Sequence, residues 1–221
     1  MSGIVKLFVG KTKSGKTHLA NKMLKRHSKG IIYDYAHDFK GGQVIEDFSV
    51  NNFVKLLKKY GGKKNIKSKY KLIFRKPSNF THQRALDLVA LFAKKIGESY
   101  GKRSLPENDY IAFVVDEADK CSTKKDADKV RLAVQAGRHD NLSTWAIAQR
   151  PSRLHLDFRA NASEVFAFPL AIDDPYYSKT FGASFVEKLN KSKKYSFIFW
   201  NDEGLKKIID GKGKVIHDNS Q

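Results

Sequence analysis

The sequence predicts an α/β fold in three layers: a mostly parallel central sheet with helices on both faces. Three observations carry this expectation. Short apolar runs bounded by Gly, Pro or charge alternate with amphipathic helical patterns, the signature of successive βαβ units. The first run, residues 4–9, leads directly into a glycine-rich octapeptide and then into a helical stretch from Lys16 to about His27. A later β-branched and aromatic run, 110–115, ends in the acid pair Asp116-Glu117.

Each element follows from local chemistry. After the opening strand, apolar runs predict strands at 30–35, 70–74, 143–148 and 164–168. Helical spacing predicts helices at 50–60, 81–96 and 124–136, with a short one after Pro151. In the 124–136 helix, Ala127, Val130, Ala133 and Val134 form the face expected to pack on the sheet. Lys124, Asp128, Arg131, Gln135 and Arg138 form the opposite stripe. Beyond residue 168 the pattern changes. A helix is expected from Asp173-Asp174-Pro175 to about Asn190, a strand at 195–200, and a turn at 201–204. The polar tail from Gly211 is expected to fray. With no repeat and no low-complexity linker, the 221 residues read as one domain: a core of about 1–168, an elaboration over 169–210, and a tail over 211–221.

The octapeptide Gly10-Lys11-Thr12-Lys13-Ser14-Gly15-Lys16-Thr17 has the Walker A spacing G-x-x-x-x-G-K-[ST], and it stands between a strand and a helix. The glycines let backbone N–H groups turn inward toward phosphate oxygens, and the helix N-terminus adds partial positive charge. Lys16 is expected to reach the β- and γ-phosphates and Thr17 to offer its hydroxyl to Mg²⁺, with His18 completing the nucleotide-binding set. Asp116, delivered by a buried strand, is the expected second support for Mg²⁺. Glu117 is placed to take a proton from an attacking water. Gln149 closes the 143–148 strand, where a neutral amide contacts both a γ-phosphate and that water. ATP is thus the expected ligand.

Composition supplies the partner. The net charge is +19, from 42 Lys and Arg against 23 Asp and Glu. The segment from Phe48 to Arg84 contains no acid at all, and Lys188, Lys191, Lys193 and Lys194 form a second basic stretch. Beside a nucleotide site, that excess points to nucleic acid. Hydrophobic content of 41% argues against wholesale disorder. No apolar run approaches a membrane span, and neither an anchor nor a signal peptide is expected. A single cysteine, Cys121, leaves no internal disulfide framework and fits a reducing interior.

Four blocks then occur in one order: GKTKSGKT, the apolar run ending in Asp116-Glu117, Gly137-Arg138-His139, and Gln149-Arg150-Pro151. Over residues 4–168 the chain resembles the FtsK–HerA superfamily of DNA-pumping ATPases. In its short form it is similar to the genome-packaging ATPases of tailless icosahedral viruses with an internal membrane. That resemblance implies an ASCE-type core with an extra strand between the P-loop and Walker B strands, and a ring, a hexamer, around double-stranded DNA. It implies a capsid or portal protein as a further partner, and the host cytoplasm or the virion as location. It also implies that Arg138, in the GR[KH] block, acts on a neighbour's nucleotide, with Arg75 at the end of 70–74 as a second candidate. Asp34 resembles the strand-end aspartate of the family. Unlike in other members, an N-terminal barrel, a winged helix and an anchor are not expected from these residues. A non-packaging DNA pump or phage assembly ATPase is the nearest alternative; a P-loop kinase and a non-hydrolysing scaffold are the distant ones.

Overall fold

The computed structural model describes residues 5–101, 105–122, 128–137, 139–170 and 175–218. In chain order these form β1 (Val5–Val9), α1 (Lys16–Leu24), β2 (Lys29–Tyr33), β3 (Gln43–Ile45), α2 (Val50–Tyr60), β4 (Tyr70–Phe74) and α3 (His82–Ser99). There follow β5 (Ile111–Val115), α4 (Ala118–Cys121), α5 (Asp128–Ala136), β6 (Leu142–Ala148), α6 (Leu156–Ala160) and β7 (Glu164–Ala167). The chain closes with α7 (Pro175–Phe181), α8 (Ala183–Asn190), β8 (Phe197–Asn201), β9 (Lys206–Ile209) and β10 (Val215–Asp218).

All the strands belong to one ten-stranded sheet of order β10-β9-β8-β7-β1-β6-β5-β2-β4-β3. From β7 to β3 every neighbouring pair is parallel, whereas β8, β9 and β10 add on as an antiparallel meander. β6 lies between β1 and β5, which is the extra strand that the ASCE resemblance implied. The order doubles back at β1, so a crevice opens at the carboxyl ends of β1, β6 and β5, where open α/β sheets take ligands.

Strand alternation divides the apolar residues between two faces. Leu7 and Val9 join a large core with residues of α2, α3, α5, α6, α7 and α8, while Phe8 joins a smaller one with Trp145, Phe166 and Phe168. Among the described helices only α1, through Ala20 and Leu24, contributes buried residues to the second core. The three layers are therefore present but uneven. Phe48, Phe53, Phe74 and Phe92 pack with ring centroids 5.4 to 5.9 Å apart, seating α2 and α3 on β4.

Caps explain the sharpest helix starts. The Ser49 side chain accepts from Asn52 N at 3.2 Å, and Thr81 accepts from Arg84 N at 3.2 Å. In α5, Val130, Ala133 and Val134 are buried as the pattern required, and the exposed Arg131 reaches Asp157 of α6 at 3.3 Å. Residues 124–127 of the expected helix, and Asp173 and Asp174, lie outside the described residues.

Three expectations need correction. The single helix expected to Asn190 is broken into α7 and α8 by Gly182, whose φ of 85° lies in the left-handed region. The strand expected from Tyr195 begins at Phe197, because Tyr195 has a φ of 70° that no strand accommodates. Within the tail expected to fray from Gly211, Val215–Asp218 instead form β10, and residues 219–221 lie outside the described residues. There Asp210 Oδ1 accepts from Lys212 N and Lys214 N, both at 2.9 Å, which closes the turn, and Lys207 pairs with Asp218 at 3.0 Å.

Candidate functional site

The loop after β1 is held by the sheet around it. Gly10 N donates to Ala148 O at 3.2 Å and Lys11 N to Pro169 O at 2.9 Å, tying the loop to the ends of β6 and β7. Gly10 has a φ of 149°, and a Cβ there would lie 2.6 Å from the Phe168 Cβ. Gly15, with a φ of 108°, starts α1. A side chain at Gly10 would thus collide with the neighbouring segment, which is a physical reason for the glycine.

Within this loop Lys11, Thr12, Lys13 and His18 are exposed, Thr17 is partly so, and Ser14 and Lys16 are buried. The Lys16 ammonium donates to Lys11 O at 2.8 Å. Burial pushes its pKa down, opposed by the nearby carboxylates of Glu117, Asp119 and Asp116. The Ser14 hydroxyl is buried and finds no partner among the described residues. Together with Lys13, Gly15 and Thr17 these residues line a cleft of about 570 Å³. An inward-facing cation, an orphaned hydroxyl and a Cβ-free turn fit the polyphosphate of a nucleotide.

Asp116 follows β5 and is 1% exposed. Its Oδ2 accepts from Ala36 N at 3.0 Å. Burial pushes its carboxyl up to about 7; that hydrogen bond opposes the rise, while Glu117, Asp34 and Asp38 add to it. Such a carboxyl gains most from an arriving cation. Asp116 and Thr17 are the residues that could hold a Mg²⁺ ion here; among the described residues no group of three or more His, Cys, Asp or Glu side chains could hold a metal by itself.

Glu117 adopts φ 47°, ψ 44°, a left-handed conformation unusual for a residue with a side chain. Both its carboxylate oxygens accept from Gln149 Nε2, at 2.8 and 2.9 Å. Gln149 Oε1 in turn accepts from Thr12 Oγ1 at 3.0 Å. The structure therefore links three sequence-predicted residues, from the loop after β1, the end of β5 and the end of β6, in one hydrogen-bonded chain.

Two residues that the sequence did not single out complete it. Lys120 Nζ lies 3.0 Å from Glu117 Oε2. Asp119 is buried, and its two oxygens accept from Gln149 N at 3.2 Å and Arg150 N at 2.9 Å, fastening the end of β6 to the turn after β5. The only available signal was their place just past the acid pair; their function depends on the β5–β6 pairing. The buried Cys121 thiol donates to the carbonyls of Asp116 and Glu117 and stiffens the same turn.

Arg75 is engaged within its own chain. Its Nε lies 3.1 Å from Asp34 Oδ2 and its Nη2 donates to Phe39 O at 3.3 Å, while Asp34 Oδ1 accepts from Asp38 N and Phe39 N. It stands at the end of β4, four strands along the sheet from β1. Arg138 lies outside the described residues.

No protein-family model and no curated protein matches the chain. Solved structures do. The genome packaging NTPase B204 from Sulfolobus turreted icosahedral virus 2, in complex with sulfate, is 20% identical, with a TM-score of 0.66 over 94% of this chain and 96% of that one. The same protein in complex with ATP-gammaS gives 20% identity and a TM-score of 0.66 over 97% and 98%. B204 from Sulfolobus turreted icosahedral virus, the DNA-packaging ATPase, gives 20% and 0.62 over 98% and 100%. The chain has the fold of these packaging NTPases along nearly its whole length.

Proposed function

We propose that the protein is an ATP hydrolase that drives double-stranded DNA, as the motor of viral genome packaging. The observation that carries this is the Thr12–Gln149–Glu117 chain, which joins a phosphate-binding loop to an acid at the carboxyl edge of the sheet. The fold supports it, since B204 has been solved with AMP, AMPPCP and ATP-gammaS.

Lys16 holds the β- and γ-phosphates, and the backbone from Gly10 to Gly15 surrounds them. Mg²⁺, held by Thr17 and Asp116, would neutralise charge that develops on the phosphates. Glu117 takes a proton from the attacking water as the new P–O bond forms and the bond to ADP breaks. Gln149 orients that water. Because Gln149 is bonded to both Thr12 and Glu117, a change at the γ-phosphate reaches the end of β6 and the segment after it.

The basic surface grips DNA phosphates without reading sequence. The active unit is a ring, with Arg138 of one subunit, or failing that Arg75, supplying a cation to its neighbour's nucleotide. A capsid or portal protein is the further partner, and the virion or host cytoplasm the setting. Among the described residues no helix is long and apolar enough to cross a membrane.

The reading is checked by phosphate release on sized oligomers, with and without duplex DNA. DNA should stimulate release strongly, and Lys16→Ala should abolish it; a rate indifferent to DNA, or none at all, defeats the proposal. Mixing Arg138→Ala with Lys16→Ala protein should restore activity that neither has alone, and no restoration in rings shown to mix removes Arg138 as the trans cation.

A further inference from the structure

The P-loop accounts for phosphates but leaves the base of a nucleotide, and the chain beyond residue 168, without a role. A cavity of about 350 Å³ opens beside the loop, between α1 and the turn joining β9 to β10. Phe168, Phe197 and Leu19 line it, with Gly211 and Gly213 on the side of the turn. Gly15, His18 and Tyr195 line both this cavity and the phosphate cleft, so the two adjoin. The cleft is polar and ringed by the P-loop; the cavity has an aromatic and apolar wall, with Lys22 and Asp210 also lining it.

Tyr195 stands where they meet. Its left-handed backbone turns it out of the β8 strand that its residue type favours, and it is 46% exposed. Glycines make room for it on two sides: a Cβ at Gly15 would lie 3.2 Å from its Cδ1, and one at Gly211 would lie 3.0 Å from its Cβ. The preceding Lys194 sets its ammonium 4.9 Å from the ring centroid and lines the phosphate cleft. An exposed aromatic in a conformation that a strand would avoid, seated between glycines of the P-loop and of a remote turn, is an arrangement suited to a ligand.

We infer that this cavity takes the purine base and ribose of the nucleotide, with Tyr195 as the stacking surface and Lys194 as an additional cation toward the phosphates. The C-terminal strands thereby become part of the nucleotide site. This rests on the P-loop reading above. At the rim, Asp210 Oδ1 is committed to the amides of Lys212 and Lys214, and the ring of Tyr195 offers the stacking face.

The test compares ATPγS with inorganic tripolyphosphate by titration calorimetry on the full chain. Tyr195→Ala should weaken ATPγS by about tenfold or more, the lower range of what stacking on a base contributes, and leave tripolyphosphate unchanged. Tyr195→Phe should bind both as wild type does, and Lys16→Ala should lose both. Equal affinity of Tyr195→Ala and wild type for ATPγS overturns the inference, as does a parallel loss of both ligands. If wild type itself binds neither ligand, the P-loop reading has failed and the base site with it.

Discussion

Glu117→Gln should still bind ATP but release phosphate about 10²- to 10⁴-fold more slowly, the range that general-base catalysis supplies. The substitution keeps the shape of the side chain and leaves the left-handed turn at this residue undisturbed. What it removes is the capacity to take a proton. It also disturbs the network. Both carboxylate oxygens now accept from Gln149 Nε2, and Oε2 is shared with Lys120. An amide replaces one acceptor by a donor, so it retains one of the Gln149 contacts and loses the ion pair to Lys120. Thr12 Oγ1 still has Gln149 Oε1 as acceptor, so the phosphate cleft keeps its form. Binding titrations together with single-turnover phosphate release would separate the two effects. Normal DNA-stimulated turnover would remove Glu117 as the base and leave the water to another group.

The parts of this architecture written in short-range chemistry were legible. Helical spacing placed the starts of α2 and α3, and the Ser49 and Thr81 caps sit there because a capping hydroxyl acts within three residues. The P-loop was legible because its turn requires glycine where only glycine fits. By contrast, β3 has three residues, two of them exposed, and offers no alternation to detect. In β9 the run Lys-Lys-Ile-Ile has no period of two, and its place in the sheet comes from pairing with β8. β10 holds exposed Val215 and Ile216 and depends on the Asp210 turn for its return. At the site, Glu117 and Gln149 were readable one at a time. Their contact, and the part of Asp119 in securing it, required β5 and β6 to be neighbours, which is a property of the sheet and not of either segment. Arg75 lies beyond the reach of such reading: the resemblance offers it as a second candidate, and its pairing with Asp34 of its own chain appears only once β4 and β2 lie side by side.

Gly97→Ala should be strongly destabilising, although helix propensity alone favours alanine by about 1 kcal/mol in the interior of α3. A Cβ at Gly97 would overlap the backbone oxygen of Asp140 and lie 3.4 Å from Leu142 Cδ2. The obstacle is main chain, so no rotamer relieves it, and α3 must move or the turn before β6 must open. That turn resists opening. Asn141 has a φ of 55°, and its amide Nδ2 donates to Gly97 O at 3.2 Å and Gly101 O at 2.9 Å, satisfying carbonyls at the end of α3. Leu142 N donates to Gly137 O at 3.0 Å, and Ile111 N donates to Asn141 O at 2.9 Å, so the same turn sets where β6 begins beside β5. Separating α3 from it loses these bonds as well as packing around Ile96 and Phe92, a cost of about 3 kcal/mol or more. For a chain of this length that corresponds to a fall in Tm of about 10 °C, to be read by far-ultraviolet circular dichroism during heating. An unchanged Tm would mean that α3 does not rest on the turn at 140. The damage should reach the site as well, because β6 starts at this turn and carries Gln149 just beyond its other end; nucleotide turnover in the variant should therefore fail at temperatures where its helices still persist.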